Sequence, residues 1–403
     1  MLTNERYEEV ITLCQQLVKR QSYSGQEGEV AAYIQAFAET LQADAVTVDA
    51  FGNVLVTFTG TQQGPTIVLD GHIDTVPITY EAWQHEPLGG QLENGKIYGR
   101  GTTDMKGAVS AMLLAAQYVA VDTQKNFRGS IIVSCSVHEE CFEGVATRLV
   151  SEATKPDYVV IGEATNLQLN RGQRGRAEIV ITTYGKAAHS SNPTEGINAV
   201  YMMTKLIDAI RTLKTEQHTV LGEGILELTD IQSAPYPGAS VVPSQCKATF
   251  DRRLLVGETR ESVLAPLQAI IDELTLQDET FKATVAFSEG AEVCYTGATI
   301  AAERFFPAWL YEETNDFVEQ TLVALQKHRP QTTLSHYSFC TNGSHFAGEA
   351  GIPTIGYGPS LESLAHIDDE YIEITQLTSA LEGYYTIIEA LQKLPMKAGV
   401  QYV

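Results

Sequence analysis

The sequence predicts an α/β protein with a mostly parallel sheet, helices on both faces of that sheet, and an inserted α+β domain. Two observations support this prediction. In the first and last parts of the chain, short apolar runs are separated by helical segments, which is typical of strands buried on both faces of a parallel sheet. In the middle of the chain, shorter strand-like segments accompany two amphipathic helices, which is typical of helices packed on an antiparallel sheet.

The elements of the first domain follow from their apolar patterns. An amphipathic helix ends near Val18, since its apolar residues recur every three or four positions. A second helix, rich in Ala, Met and Leu, is predicted from Met105 to about Val119. Strands of the parallel sheet are predicted at residues 66–70, 130–134, 157–161 and 352–356. Because helices and strands alternate, helices should cover both faces of this sheet.

The inserted domain is predicted over residues 175–290, so that the first domain comprises residues 1–174 and 291–403. A glycine-rich joint, Arg171–Gly175, and a turn at residues 288–290 mark its limits. Its strands are predicted at residues 176–184, 225–231, 245–251 and 281–287, and its helices at residues 196–213 and 263–274.

The composition limits the possible partners and the compartment. The 403 residues contain 27 Lys and Arg against 50 Asp and Glu, a formal charge of −23, which would repel nucleic acids and anionic membranes. No apolar run reaches the roughly 18 residues of a membrane span, and the first 20 residues lack the pattern of a signal peptide. Six scattered cysteines without a CxxC pair favour free thiols in a reducing cytoplasm. We therefore expect a cytoplasmic protein.

Histidine and carboxylate side chains follow the predicted strands, at the edge of the sheet where ligands of open α/β proteins bind. These residues are His72, Asp74, Glu139, Glu140, Glu163 and His366, and Asp104 comes just before the second helix. Each alone has an ordinary interpretation, such as a loop histidine, a solvated Glu pair or, for Asp104, a helix N-cap. Their coincidence at one sheet edge favours a common site.

Carboxylates that converge without compensation would cost several kcal/mol in repulsion and desolvation. Two divalent cations would balance the charges of Asp104, Glu139, Glu140 and Glu163. Mixed imidazole and carboxylate ligands suit zinc, cobalt or manganese better than magnesium or calcium. Because none of the candidate ligands is a cysteine, the pattern indicates a catalytic pair of metal ions rather than a structural zinc site.

These residues lie in motifs that resemble those of the M20 metallopeptidase family, which includes acetylornithine deacetylase, succinyl-diaminopimelate desuccinylase, aminoacylase and glutamate carboxypeptidase. The resemblance covers essentially the whole chain. The motifs are Asp70-Gly-His-Ile-Asp-Thr-Val-Pro77, Gly99-Arg-Gly-Thr-Thr-Asp-Met-Lys-Gly107, Glu139-Glu140, Glu163-Ala-Thr165 and Ala188-His-Ser-Ser191. The runs Arg171-Gly-Gln-Arg-Gly-Arg176, Asp251-Arg-Arg-Leu254 and Thr341-Asn-Gly343 resemble the branch labelled selenium-metabolism-linked hydrolases, a label that names a genetic association and not a reaction.

The resemblance implies a two-metal exopeptidase-like fold and a set of metal ligands. His72, Asp104 and Glu163 would hold one metal ion, and Asp104, Glu140 and His366 the other, with Asp104 as the bridge. Asp74 would orient the imidazole of His72, and Glu139 would be the general base that receives a proton from a metal-bound water. Both Asp74 and Glu139 are therefore predicted as catalytic residues.

The resemblance also implies substrate contacts and a homodimer. The inserted domain would serve as a lid and dimerisation domain, from which His189 would reach across the interface to stabilise an oxyanion. Arg253 is predicted to bind a substrate carboxylate, and Asn342 and Gly343 to lie near the scissile group. From the residues alone, His189 and Arg253 also fit an ordinary loop histidine and a surface arginine. His345 stands where desuccinylases carry an arginine.

The sequence therefore predicts a metal-dependent amidohydrolase that cleaves the amide bond of a small N-acyl amino acid through a metal-bound hydroxide, with Glu139 as base. The metal ions would be two, most simply zinc, with cobalt or manganese as alternatives. A dipeptidase or carboxypeptidase of the same family remains an alternative. A non-catalytic protein that binds metal or a metabolite is a further one, although it would have no need of Glu139.

Overall fold

The computed structural model describes residues 3–397, and the terminal residues that the sequence analysis assigned to the first domain, 1–2 and 398–403, lie outside this range. The described chain forms two compact units. Unit 1 comprises the residues up to Gln173, Ala291–Ala301 and the residues from Trp309 onward. Unit 2 comprises Arg174–Gly290 and Ala302–Ala308.

The helices within the described range have the following bounds: α1 Asn4–Val18, α2 Gly28–Thr40, α3 Gly107–Asp122, α4 Thr147–Thr154, α5 Ala199–Ile210, α6 Arg260–Gln277, α7 Asp316–His328 and α8 Ile374–Leu391. The strands are β1 Ala45–Val48, β2 Val54–Thr59, β3 Gln62–His72, β4 Gln91–Glu93, β5 Lys96–Tyr98, β6 Arg128–Ser136, β7 Tyr158–Ile161, β8 Leu169–Gln173, β9 Gly175–Tyr184, β10 Gln217–His218, β11 Gly222–Glu223, β12 Ile225–Ala234, β13 Gln245–Leu254, β14 Ala283–Phe287, β15 Glu289–Val293, β16 Thr299–Glu303, β17 Phe305–Phe306, β18 Trp309–Leu310, β19 Leu334–Tyr337, β20 Thr354–Gly356 and β21 Tyr371–Glu373.

The main sheet of unit 1 has the order β1-β2-β6-β3-β7-β20-β8-β18, with β19 beside β8. Its centre is parallel, because β3 runs parallel to β6 and β7, and β7 runs parallel to β20. Antiparallel pairs lie toward the edges, such as β1 with β2 and β18 with β8. This architecture confirms the predicted mostly parallel α/β sheet.

Both faces of this sheet are covered, which explains the apolar runs without polar alternation. On one face, Val68 of β3 belongs to a buried cluster with Val150 of α4. On the other face, a Cβ atom on Gly71 would lie 2.9 Å from Val109 of α3, so this helix packs directly on the strand. Helix α3 also contacts α1 and α8. It is therefore apolar almost all round, as expected of a helix between two layers.

The sheet of unit 2 has the order β12-β13-β9-β14, with β17 paired to β9, and its partners are antiparallel. Helices α5 and α6 pack on it through a core that includes Ile181, Met203, Phe250 and Leu267. Every strand and helix predicted for the inserted domain is present. The predicted limits were wrong for residues 302–308, because backbone pairing of Phe305 with Ala177 places this segment in unit 2.

The glycine-rich segment Arg171–Gly175 is not a free joint. Residues up to Gln173 form β8 of the main sheet, where a Cβ atom on Gly172 would lie 2.5 Å from Leu310 on the paired strand. The glycine at this position therefore permits close packing of two strands. Among residues 3–397, we found no helix of the length and apolarity required to cross a bilayer.

Candidate metal centre

The predicted ligands lie at one edge of the sheet because three parallel strands end at the same level. The register pairs His72 at the end of β3 with Ser136 at the end of β6, and pairs Asp70 with Ile161 at the end of β7. Glu139 and Glu140 follow β6 after three and four residues, and Glu163 follows β7 after two. The carboxyl ends of the strands thus place these side chains together, as the sequence predicted.

One group of ligand atoms is formed by His72, Asp104 and Glu163, whose donor atoms lie within 4.8 Å of one another. The Nε2 atom of His72 is 2.7 Å from Oδ1 of Asp104 and 3.2 Å from Oε1 of Glu163. The side chain of His72 is 1% exposed and that of Glu163 is 5% exposed. This group is therefore a buried site of one imidazole and two carboxylates.

A second group is formed by Asp104, Glu140 and His366, again within 4.8 Å. The Nε2 atom of His366 is 3.0 Å from Oδ2 of Asp104 and 3.1 Å from Oε2 of Glu140. Asp104 thus directs one carboxylate oxygen to each histidine. Helix α3 starts only at Gly107, so the simpler interpretation of Asp104 as the helix N-cap is wrong.

Asp74 fixes both His72 and the turn that carries the two glutamates. Its backbone carbonyl lies 2.9 Å from Nδ1 of His72, which leaves Nε2 of the imidazole facing the carboxylates. Its carboxylate accepts hydrogen bonds from the backbone N–H groups of Glu139 and Glu140, at 3.1 Å and 3.2 Å. Asp74 is completely buried. It therefore sets the position of three other residues of the site.

Glu139 lies beside the two groups without belonging to either. Its Oε2 atom is 4.0 Å from Nε2 of His72, and its buried Oε1 atom has no hydrogen-bond partner among the described residues. Burial raises the pKa of Glu139 well above its ordinary value, and repulsion from Glu163 and Glu140 adds to this effect. The result is a basic carboxyl group next to a cluster of ligand atoms.

The charge balance of the cluster fits divalent cations. Burial and repulsion from Asp104 raise the pKa of Glu140 to about 7, and the same causes raise the pKa of Glu163. Hydrogen bonds with Asp104 and Glu140 raise the pKa of His366 to about 10. Protons thus compensate the carboxylates in this arrangement, and a divalent cation would replace them. One histidine and two carboxylates in each group suit zinc, cobalt or manganese.

Comparison with known proteins assigns the family. A model of peptidase family M20/M25/M40 matches residues 68–390, a range that includes every residue of the two ligand groups. The chain belongs to this family. An uncharacterised protein named YgeY from Escherichia coli (strain K12) is 31% identical over 373 residues, which cover 91% of this chain and 90% of the relative.

A relative of lower identity and a solved structure are also similar to this chain. An acetylornithine deacetylase from Buchnera aphidicola subsp. Schizaphis graminum is 26% identical over 329 residues, covering 80% of this chain and 79% of the relative. The crystal structure of aminopeptidase PepT from Bacillus cereus superposes with a TM-score of 0.74 at 20% identity. That match covers 96% of this chain and 99% of the aminopeptidase, and it supports the fold described above.

His189 and Arg253 belong to unit 2, whereas both ligand groups belong to unit 1. His189 is exposed, and its Nδ1 atom accepts hydrogen bonds from the backbone N–H and the hydroxyl of Ser191. A neutral imidazole held in this way carries its proton on Nε2, which is the state required of a hydrogen-bond donor. Its predicted role at an oxyanion stays a prediction.

Arg253 lies on β13 with its side chain 31% exposed, and its Nε atom is 2.8 Å from Oδ1 of Asp251. Asp251 also accepts a hydrogen bond from Nε of Arg176, at 2.8 Å. One carboxylate is therefore shared by two guanidinium groups, and the carboxylate of Glu178 lies 3.9 Å from Nη2 of Arg176. This arrangement is compatible with the predicted binding of a substrate carboxylate, which stays a prediction.

The side chain of Asn342 lies in the interior of unit 1. Its Nδ2 atom donates hydrogen bonds to Asp70 and Ser136, at 2.9 Å and 3.0 Å, and its Oδ1 atom accepts one from the backbone N–H of Gly144. Asn342 is 3% exposed. Both polar atoms of the side chain are thus used within the fold. The predicted substrate contact of Asn342 stays a prediction.

Gly343 and His345 are also directed inward. The N–H of Gly343 donates to the hydroxyl of Thr341, and a Cβ atom at this position would lie 2.7 Å from Nε1 of Trp309. The two ring nitrogens of His345 lie 2.7 Å from the hydroxyl of Ser151 and 2.9 Å from a carboxylate oxygen of Glu349. The loop that resembles a substrate-binding segment therefore contributes packing at these positions, and the substrate contact predicted for Gly343 stays a prediction.

Glu27 is a buried acid near the site that the sequence analysis missed. Its Oε1 atom accepts hydrogen bonds from the backbone N–H groups of Gly25 and His138, at 2.9 Å and 3.3 Å. Burial raises the pKa of Glu27 from 4.5 to about 7, and repulsion from Asp74 contributes. The only sequence signal was an acid within the polar segment Ser24-Gly-Gln-Glu27, which is an ordinary loop composition.

The raised pKa of Glu27 predicts a pH dependence of stability. The folded protein binds the extra proton between pH 4.5 and about 7, so its free energy of unfolding should fall as pH rises through this window. In Glu27→Gln, which keeps the Oε1 acceptor, this loss should be absent. Between pH 4.5 and pH 8, the free energy of unfolding of the variant should therefore rise by about 3 kcal/mol relative to that of the wild type. This value follows because each unit of pKa shift corresponds to about 1.4 kcal/mol.

Urea unfolding of both proteins at the two pH values measures this difference. Glu29→Gln is the matched control, because Glu29 is exposed and lies two residues away. An equal stability difference between Glu27→Gln and wild type at pH 4.5 and pH 8 would contradict the prediction.

Proposed function

We propose that this protein is a two-metal amidohydrolase that cleaves the amide bond of a small N-acyl amino acid. The observation that carries the proposal is the arrangement of two ligand groups that share Asp104, with an unpartnered, basic carboxyl group of Glu139 beside them. A protein that only binds metal does not require such a base. The membership of the peptidase family M20/M25/M40 supports hydrolysis of an amide bond.

His72, Asp104 and Glu163 would hold one cation, and Asp104, Glu140 and His366 the other; zinc is our first choice. When bound, the cations supply Lewis-acid activation of water and of the scissile carbonyl. Glu139 accepts the proton of the attacking water on its carboxylate, whose Oε2 atom lies on the side of the ligand groups, and passes this proton to the leaving amine. Asp74 keeps His72 in the tautomer that presents Nε2 to the site.

Unit 2 would supply the remaining groups. The N–H at Nε2 of His189 would donate to the oxyanion, and Arg253 would bind the carboxylate of the amino acid. Such a role for His189 requires a homodimer. The ten-residue strand β12 forms an edge of the sheet in unit 2, and Ile225 and Ile231 on it are 42% and 48% exposed, which favours pairing with a second copy. Light scattering of the purified protein tests the dimer.

An uncharged acyl group such as acetyl fits better than succinyl. Where desuccinylases carry an arginine, this chain has His345, and Ser151 and Glu349 occupy both of its ring nitrogens. No cation is therefore offered from this position to an anionic acyl group. The six scattered cysteines without a CxxC pair support our placement of the enzyme in a reducing cytoplasm.

A substrate panel tests the proposal. N-acetyl amino acids, N-succinyl amino acids and unblocked dipeptides should each be assayed with zinc, cobalt and manganese. We expect kcat/KM to be at least about tenfold higher for N-acetyl amino acids than for the other classes, a difference of about 1.4 kcal/mol, and removal of metal by a chelator to abolish turnover. Turnover of dipeptides alone would instead indicate a dipeptidase or carboxypeptidase, and two bound cations without any turnover would indicate a non-catalytic protein.

A further inference from the structure

Glu370 is a completely buried acid whose carboxylate holds the loop that carries Asp104. Its Oε1 atom accepts hydrogen bonds from the backbone N–H groups of Thr103 and Asp104, at 2.8 Å and 3.1 Å. Its Oε2 atom accepts from the backbone N–H of Gly101 at 3.1 Å and from Nη1 of Arg100 at 2.7 Å. Four donors from one five-residue segment thus converge on one carboxylate.

Arg100 joins the same segment to the loop that carries His366. Its Nη1 atom also donates to the backbone carbonyl of Ile367 at 3.1 Å, and the residue is 3% exposed. The hydroxyl of Thr103 donates to the carbonyl of Tyr371 at 2.7 Å, and the N–H of Gly99 donates to the carbonyl of Glu370 at 2.8 Å. The Asp104 loop and the His366 loop are therefore connected by hydrogen bonds on both sides of Glu370.

The two ligand groups differ in how their histidines are supported. The His72 ring is 1% exposed and is held through Nδ1 by the carbonyl of Asp74. The side chain of His366 is 52% exposed, and its Nε2 atom faces the carboxylates of Asp104 and Glu140. The position of His366 relative to Asp104 therefore depends strongly on the backbone of its loop, which Arg100 and Glu370 tie to the Asp104 loop.

We propose that Glu370, together with Arg100, is a positioning pair for the second ligand group and sets its affinity for a divalent cation. The pair touches neither the cation nor the substrate. It fixes the separation of Asp104 from His366, whereas His72 of the first group is supported independently through Nδ1 by the carbonyl of Asp74. This inference rests on the proposed function only in taking the two groups as cation sites.

Glu370→Gln is the most direct test, because glutamine has the same shape but places an N–H₂ group among four hydrogen-bond donors. The metal-free wild type and variant should be titrated with Mn²⁺ alone by calorimetry, with electron paramagnetic resonance to count bound ions. We expect two equivalents in wild type. In the variant, the affinity for the first Mn²⁺ ion should lie within about threefold of the wild-type value. The second Mn²⁺ ion should bind at least about tenfold more weakly than in wild type, as expected when a residue that orients metal ligands is changed.

Glu373→Gln is the matched control, since Glu373 is exposed and lies three residues further along the chain. Hydrogen exchange of the metal-free protein gives a readout without metal: the amides of Gly101, Thr103 and Asp104 should exchange faster in Glu370→Gln and not in the control. Where Glu370→Gln fails to fold, Arg100→Lys replaces it, because lysine keeps the charge but not the planar fork of donors.

The proposal would be overturned if both Mn²⁺ ions bound equally more weakly to the variant, or if both bound with unchanged affinity. A purely structural ion pair gives one of these two results. Its failure is distinguishable from failure of the proposed function. If the wild type hydrolyses N-acetyl amino acids and the variant binds Mn²⁺ with unchanged affinity, only the positioning role is refuted. If the wild type binds two Mn²⁺ ions without turnover and the variant loses only the second ion, only the proposed function is refuted.

Discussion

Replacement of Glu139 by glutamine should lower kcat/KM by about 10²- to 10⁴-fold, the range expected for loss of a general base. Glutamine keeps the shape of the side chain but cannot accept the proton of the attacking water. Because Glu139 belongs to neither ligand group, the variant should bind two cations with affinities within about threefold of wild type. Steady-state kinetics on the best substrate of the panel, together with elemental analysis of the metal content, measure both effects.

Glu152→Gln is the control for this experiment, because it makes the same change of charge at an exposed position of α4. Full activity of Glu139→Gln, or of Glu139→Ala, would refute the proposed mechanism. Loss of one cation from the variant would show instead that Glu139 acts as a ligand, and the assignment of the base would have to change.

Replacement of Asp104 by asparagine should weaken the binding of both cations at once. The two carboxylate oxygens of Asp104 face different histidines, at 2.7 Å from His72 and 3.0 Å from His366. Loss of residues that only orient ligands costs about 10- to 100-fold in metal affinity. Loss of a ligand shared by two ions should therefore exceed about 100-fold for each equivalent, and hydrolysis should fall below detection at micromolar metal.

Two comparisons make this prediction specific to Asp104. Glu163→Gln and Glu140→Gln should each weaken one equivalent more than the other, because each residue belongs to a single group. Asp368→Asn changes an exposed carboxylate two residues from His366 and should leave both equivalents unchanged. An Asp104→Asn variant that loses only one cation would exclude a bridging role.

The convergence of the ligand side chains could be predicted from the sequence because the geometry of a parallel sheet is regular, whereas their division into two ligand groups came from the family resemblance. Residues that follow parallel strands meet at one edge, and the register of β3 with β6 and β7 produced this convergence. Apolar runs covered on both faces likewise predicted the strands. By contrast, the segment of residues 302–308 could not be assigned, since Phe305–Phe306 is too short to show a strand pattern and is defined by its pairing with β9.

Three consecutive acids after His366 illustrate what composition leaves open. Asp368 is exposed, and Asp369 accepts hydrogen bonds from the backbone N–H groups of Gln84 and His85. Glu370 is completely buried against the Asp104 loop. Their residue types are nearly the same, but their partners come from segments more than 250 positions away in the chain. Only the folded chain distinguishes a solvated acid from a structural one.

The sequence alone predicted the fold class and the convergence of histidines and carboxylates at one sheet edge, because periodicity and strand order express these directly. The resemblance to the M20 family added the division of these residues into two ligand groups. The tertiary structure decided the direction of the remaining polar side chains. Asn342 turned inward because Asp70, Ser136 and Gly144 supply its partners. A buried polar group must find its hydrogen bonds wherever the fold offers them, and those partners lie far away in the sequence.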